Sequence, residues 1–280
     1  MTHNILVIGG AGKTGSRVVE NLSKLGHDVT IGSRNGNPAF NWDDPSTYAP
    51  ALKGIDRAYI VYYPDLAVPG ARTAIEQLTA AALKEGIEKV VLLSGKGETE
   101  AEACEEIVAH SGLNYTLVRA SWFNQNFSEG AFRDFILAGH VALPMPDAEI
   151  PFVDVNDIAD VVTKVLLDDA YNGKTVTVTG PRKMTFKEVV EIMAAETGRE
   201  IHYQPISIEE FKAGMKAAGL PGSYVWLFGY LFKEVLGNPA NQEVSGDVEK
   251  VLGRKAIDFK DFAIKASASG VWSEDITHSI

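Results

Sequence analysis

The apolar run ILVI at residues 5–8 leads directly into GGAGKTG at residues 9–15. SRVVENLSKLG follows, with Val18, Val19, Leu22 and Leu25 at helical spacing. A strand that becomes a helix through so many glycines has few uses. The phosphate loop of ATP-binding proteins needs four residues between its first glycine and a GK[ST] triplet. Here Lys13-Thr14 follows Gly12, with only two residues after Gly9. Gly9, Gly12 and Gly15, at three-residue intervals, match the dinucleotide turn instead. In that turn the first glycine permits a sharp bend, the second lets backbone approach a pyrophosphate, and the third lets helix pack closely on sheet. The N–H groups that open the helix then face negative phosphate, with Lys13 and Thr14 in the same turn.

Strand-like runs continue through HDVTIGS, RAYIVYY, KVVLLSG and YTLVRA, separated by helical patterns near Ala71–Lys84 and Ala101–His110. Short apolar runs alternating with helices predict an α/β fold, a Rossmann-like doubly wound parallel sheet covered on both faces. After Arg119 the rhythm breaks into an aromatic region. A helix with Val155, Ile158, Val161, Val162 and Val165 on one face then leads to KTVTVTG. TFKE at 185–188 and SIEE at 207–210 carry the reciprocal capping pattern of helix starts. The expected organisation is an NAD(P)-binding domain over 1–150 and a smaller, mainly helical C-terminal substrate lobe over 151–280, with 174–180 returning as a strand to the main sheet.

The second strand ends in IGSRNGN, so Ser33 and Arg34 stand where an NAD-selective site often places an acidic residue for the ribose hydroxyls. A guanidinium suits a ribose phosphate, and Lys13 adds a second positive charge. The expected cofactor is therefore NADPH, with NADH the weaker fit; the competing reading is that Arg34 is a solvated surface charge.

With 26 basic against 37 acidic residues, a formal charge of −11 and no basic stripe, nucleic acid is not an expected partner. The longest apolar run near the C-terminus, VWLFGYLF, is too short to span a membrane. MTHNILVIGG lacks the parts of a signal peptide, and Cys104 is the lone cysteine, so a cytoplasmic location is expected. Asp154 and Asp157 have no accompanying His or Cys and read as helix-start residues; no metal is expected. The six histidines are scattered, and neither HExxH nor GxSxG occurs.

VIGGAGKTG, GSR, VVLLSG, YTLVRASWFNQNF, IPFVDVNDIADVV and TVTVTGP stand in an order that resembles the NmrA-like, atypical branch of the short-chain dehydrogenase/reductase superfamily, over nearly the whole chain. The resemblance implies a Rossmann-like nucleotide domain with a smaller C-terminal lobe closing over the nicotinamide. It implies Asp43 near adenine, Tyr62, Tyr63 and Pro64 beside the cofactor, Ser94 at a strand end reaching the active site, and Asn124, Gln125 and Asn126 bordering nicotinamide and substrate. Each has a structural alternative: Asp43 as a turn former, the tyrosines as packing residues, Ser94 as a cap of the next helix.

The superfamily's usual tyrosine and the lysine four residues later have no counterpart here, because the helix after Ser94 reads ETEAEACEEIV. Lys96 in SGKGE is the nearby cation, so Ser94 and Lys96 are the catalytic candidates, with an exposed loop lysine as the alternative for the latter. Trp122, Phe123, Phe127 and Phe152, with Asn124, are the expected substrate contacts. SYVWLFGYLFKEVLG reads either as helical core or as a hydrophobic lid. The expected function is NADPH-dependent hydride transfer to a small, largely apolar electrophile such as a quinone, enone or imine. Its rival is a non-catalytic NAD(P)-binding redox sensor acting on a protein partner, and either is compatible with a homo-oligomer.

Overall fold

A computed structural model describes residues 2–130 and 132–273. Along the chain the strands are β1 (Asn4–Ile8), β2 (Asp28–Gly32), β3 (Arg57–Ile60), β4 (Lys89–Gly95), β5 (Asn114–Ala120), β6 (His140–Leu143), β7 (Lys174–Val178) and β8 (His202–Pro205). The helices are α1 (Lys13–Lys24), α2 (Tyr48–Leu52), α3 (Ala71–Glu85), α4 (Thr99–Ala109), α5 (Arg133–Leu137), α6 (Val155–Leu167), α7 (Phe186–Thr197), α8 (Ile208–Ala217), α9 (Gly222–Tyr230), α10 (Asp247–Leu252) and α11 (Phe259–Ala268). Two compact units result. The first takes the chain up to Ala120, Val155–Val178 and Gly246–Arg254, and the second takes Ser121–Asp154, Thr179–Ser245 and the chain from Lys255.

The first unit is built on a six-stranded sheet in the order β2-β1-β3-β4-β5-β7, parallel throughout. Its inner strands are apolar along their length because both faces are covered. Leu6, Ile8, Ala58, Ile60, Val90 and Leu92 share one core with Leu78 of α3 and with Cys104 and Val108 of α4. The alternate residues Ile5, Val7, Tyr59 and Val91 are equally buried. α1 and α6 pack together, joined by Arg17 Nε donating to Asn156 Oδ1 at 3.1 Å and Asn21 Nδ2 to Asp160 Oδ1 at 3.0 Å. KTVTVTG supplies β7 beside β5, and α10 covers that outer strand: the Thr177 N–H donates to Asp247 Oδ2 at 3.0 Å. This removes part of a free edge that would otherwise template pairing with another chain.

The second unit pairs β6 with β8 in parallel and gathers its core from aromatic rings. Phe127, Phe152, Phe186 and Phe259 meet with centroids between 5.6 and 6.4 Å apart. The TFKE and SIEE stretches form the reciprocal caps expected of them: Thr185 with Glu188 opens α7, and Ser207 with Glu210 opens α8. The SYVWLFGYLFKEVLG segment is α9 continued by a π-helical turn over Leu231–Leu236. Its Val225, Phe232 and Leu236 enter the core, while Trp226 is exposed and stacks on Tyr230.

Two buried cations hold the amino edge of the large sheet. Arg57 opens β3 and Lys89 opens β4; they are 6% and 1% exposed. Arg57 Nη1 donates to the Leu166 carbonyl at 2.7 Å, and Lys89 Nζ to the Asp168 carbonyl at 2.9 Å. The carbonyls that end α6 are thereby satisfied by positive charge, which the helix dipole favours. Arg57→Met strands a buried carbonyl, so denaturant unfolding should show a loss of about 1–3 kcal/mol. Lys24→Met, at an exposed surface pair, should stay within about 0.5 kcal/mol. Burial pushes the Lys89 ammonium down to about 8 from its ordinary 10.5. The unfolded chain therefore binds more protons between those values, and stability should rise as pH increases from 8 towards 10. That rise should vanish in Lys89→Met.

Candidate functional site

The glycine turn sits where strand order reverses, since β1 has β2 on one side and β3 on the other. In open α/β sheets such switch points, at the carboxyl ends of the strands, are where ligands bind. Gly9 has φ +76°, a left-handed conformation. A Cβ on Gly15 would lie 2.2 Å from the Gly9 carbonyl oxygen, and one on Gly12 would lie 3.2 Å from that oxygen. Gly12 caps α1 with no side-chain hydrogen bond, and the first turn of α1 contains no acid. The fold thus leaves backbone N–H groups and the positive helix end open to an anion. Thr14 is buried, and its hydroxyl accepts from the Tyr59 phenol at 3.1 Å, so its side chain serves the fold. Lys13 is half-buried; its carbonyl accepts from Arg17 Nη1.

Register brings the next candidates alongside. Ile8 pairs with Gly32, and the Gly9 N–H donates to the Gly32 carbonyl at 3.2 Å. Ser33 and Arg34 therefore leave the sheet beside the glycine turn. Ser33 is half-buried, its carbonyl accepting from the Gly36 and Phe40 N–H groups, while Arg34 is exposed. On the other flank a Cβ on Gly9 would approach Val61 Cβ to 3.3 Å, so the segment through Tyr62, Tyr63 and Pro64 passes close by. Tyr62 packs on Trp42 with centroids 4.8 Å apart, and burial, then the Asp43 charge, raises its phenol. Tyr63 is 71% exposed. Asp43 is exposed next to Trp42, and its N–H donates to Asn41 Oδ1 at 3.1 Å.

Ser94 ends β4 at the same edge. It is 5% exposed, and its Oγ has no hydrogen-bond partner. The helix-cap alternative fails, because α4 begins after Glu98 with no side-chain cap. Lys96, half-buried, is fixed through its backbone N–H to the Ala120 carbonyl at 2.9 Å. The following turn brings in a pair that sequence reading missed. Glu98 folds back so far that a Cβ on Gly95 would lie 1.9 Å from Glu98 Oε1. Its carboxyl is hydrogen-bonded to Asp65 from the loop after β3. Burial pushes both acids up; Glu98 is driven further by the Asp65 charge and stands well above the ordinary carboxylate range. Only the spacing SGKGE hinted at Glu98, and nothing marked Asp65. The acidic helix α4 is answered from β5: Arg119 Nε donates to Glu105 Oε1 at 3.0 Å, and Arg119 also pairs with Glu102 at 3.3 Å.

The remaining candidates belong to the second unit. Asn124 is wholly buried, and neither its Nδ2 nor its Oδ1 has a partner; the indole N–H of Trp122 is likewise unpartnered. Phe123 is half-buried, its carbonyl accepting from the Asn126 N–H, and Asn126 is half-buried too. Gln125 Nε2 donates to Asp154 Oδ1 at 3.0 Å. Phe127 and Phe152 are 0% and 1% exposed, their rings spent in the aromatic core.

Among the described residues no three His, Cys, Asp or Glu side chains are grouped to hold a metal; His278 lies outside them. Asp157 is instead paired with Arg254 Nη1 at 2.6 Å. Burial raises the Cys104 thiol to about 11. Among the described residues no helix is long and apolar enough to cross a membrane.

The protein named uncharacterized oxidoreductase YesF, from Bacillus subtilis (strain 168), is 29% identical over 96% of this chain and 98% of its own. Agroclavine dehydrogenase of Claviceps fusiformis is 27% identical over 96% and 98%. Among solved structures, the NADPH-dependent quinone oxidoreductase QOR2 of Escherichia coli, complexed with NADPH, superposes with a TM-score of 0.79 at 20% identity, over 92% of this chain and 98% of that one. The profile of the NmrA-like family matches residues 39–262, which is most of the chain, and with the parallel sheet and its switch-point glycine turn it identifies this protein as a member of the NmrA-like family.

Proposed function

We propose that this chain is an NAD(P)H-dependent oxidoreductase that reduces a small, largely apolar electrophile, a quinone, enone or imine, and that it prefers NADPH. The observation that carries the reading is the turn from Gly9 to Gly15. Two backbones approach there more closely than any side chain allows, and an uncapped, acid-free helix start is held open. An unpartnered hydroxyl nine-tenths buried, Ser94 Oγ, at the same sheet edge fits a bound group that completes it. The names of relatives that act as dehydrogenases or quinone reductases agree with this direction.

Each residue then has a task. The N–H groups that open α1 hold pyrophosphate, with Lys13 adding charge. Arg34 and Ser33 take the ribose phosphate, where a guanidinium forms charge-assisted hydrogen bonds that neutral hydroxyls do not. Tyr62, Tyr63, Pro64 and Asp43 flank the adenosine side, and Asn126 the nicotinamide side. Reduced nicotinamide, when bound, supplies the hydride. Ser94 donates a hydrogen bond to the substrate atom that gains negative charge, with Lys96 holding the turn and adding positive potential. The substrate contacts proposed from the family resemblance are the Trp122 indole N–H, the Asn124 carboxamide and the Phe123 ring.

Calorimetric titration tests the cofactor assignment. Arg34→Ala should weaken NADPH by about 10- to 100-fold and leave NADH nearly unchanged, the worth of a hydrogen bond to a charged group. Tighter NADH than NADPH binding by the wild type would overturn the preference, and binding of neither would overturn the function. Turnover is then followed by cofactor absorbance with a panel of quinones, enones and imines. Ser94→Ala should lower kcat about 100-fold with KM little changed. Cofactor binding without turnover on any acceptor would favour the redox sensor.

A further inference from the structure

Among the described residues Asn124 alone is buried with both polar atoms of a carboxamide unpartnered, and it is 0% exposed. Nδ2 donates and Oδ1 accepts, so a carboxamide cut off from water is costly to leave unsatisfied at either atom. The segment that carries it has little slack. Phe123 and Val153 form a parallel bridge: the Trp122 carbonyl accepts from the Val153 N–H at 2.9 Å, and the Asn124 N–H donates to the Val153 carbonyl at 2.8 Å. Gln125 Nε2 donates to Asp154 Oδ1, and the Phe127 carbonyl accepts from the Trp272 indole at 2.7 Å. Asn124 is thus fixed by its backbone, with its side chain left to meet a group from outside the chain.

Alternation across the bridge turns Trp122 and Asn124 to one face of the segment. The Trp122 ring packs on Phe132, Phe186 and Phe232, and its indole N–H, also shut off from water, has no partner. One face therefore presents an indole donor, an Nδ2 donor and an Oδ1 acceptor beside aromatic rings. None of the three is charged, and such surroundings disfavour an ion. The chain comes to this face from the carboxyl end of β5, which closes at Ala120, two residues before Trp122. Ligands of open α/β sheets bind outside the carboxyl ends of the strands.

We propose that Asn124 is a specificity-determining residue that recognises a neutral, planar group with a C=O beside an N–H. The carbonyl oxygen of that group, with its two lone pairs, accepts from Asn124 Nδ2 and from the Trp122 indole, while its N–H donates to Asn124 Oδ1. The proposal rests on the reductase reading, which offers two sources of this chemistry. One is the carboxamide of the nicotinamide ring. The other is an acceptor that carries an N–H next to its carbonyl, such as an amino-substituted quinone. A plain quinone has acceptors only and strands Oδ1. An anion brings no donor, and these two side chains carry no charge to balance it.

Two pairs of probes, the members of each differing by the N–H, test this on the full chain. Calorimetry compares NADPH with its reduced 3-acetylpyridine analogue, in which a methyl group replaces the amide nitrogen. Turnover with saturating NADPH compares 2-amino-1,4-naphthoquinone with its N,N-dimethyl derivative. If the cofactor is the source, the wild type should bind NADPH about 10- to 100-fold more tightly than the analogue; if the acceptor is, KM should differ by that factor between the quinones. Asn124→Leu should erase whichever preference is found, and Trp122→Phe, which keeps an aromatic ring in place, should reduce it. A merely structural carboxamide would change stability and leave the ratio within each pair untouched. If Asn124→Leu does not fold, the wild-type ratios and Trp122→Phe decide. A wild type that binds NADPH but shows no preference in either pair, or a preference that persists in full in the variants, overturns the assignment and leaves the reductase reading standing. A wild type that binds neither NADPH nor NADH overturns the reductase reading and this recognition together.

Discussion

No side chain fits at Gly15, in the first turn of α1. The Gly9 carbonyl lies so near Gly15 that a single methyl group would force backbone apart, and much of the first unit is arranged around that contact. It fixes the angle at which α1 leaves β1. It also leaves the first-turn N–H groups of α1 without a side-chain cap. Such groups are costly to bury unsatisfied, and the helix dipole adds positive potential. A fold that retains this opening at a switch point, instead of closing it with Ser or Asp, retains a place for an anion.

The rest of the carboxyl edge follows from register. The pairing of Ile8 with Gly32 carries Ser33 and Arg34 to the glycine turn, and that of Ile60 with Leu92 brings the loops after β3 and β4 level with each other. Asp65 and Glu98 meet because two parallel strands end together. Opposite ends of the same strands have a contrasting character: Arg57 and Lys89 donate to the carbonyls of Leu166 and Asp168, in and just after the last turn of α6, and anchor the sheet. One edge spends two buried cations on backbone carbonyls, while the other keeps Ser94 Oγ unpartnered.

What the sequence disclosed tracks how local the cause is. The ILVI run, the glycine spacing, KTVTVTG and the two capping boxes are determined by residues a few positions apart, and the corresponding elements are present. Pairings that depend on three-dimensional neighbours were not legible. Thr14 gives no sign in sequence that its hydroxyl meets Tyr59, and ETEAEACEEIV does not reveal that Glu105 is answered by Arg119. Phe127 and Phe152 looked like substrate-wall aromatics in a broken rhythm, yet their rings complete a core that they share with Phe186 of α7 and Phe259 of α11. Hydrophobicity alone does not distinguish a wall from a core.

The order of segments has a consequence for synthesis. The chain passes from one unit to the other after Ala120, Asp154, Val178, Ser245 and Arg254. β5 stays an outer strand until β7 has been made, and β7 in turn waits for α10 to cover it. A nascent chain released after residue 150 would carry five parallel strands with an uncovered apolar edge and without α6. Translation must pass Leu252 before that surface is sealed, so the interval between β5 and α10 is when this protein is most exposed to aggregation and most in need of a chaperone.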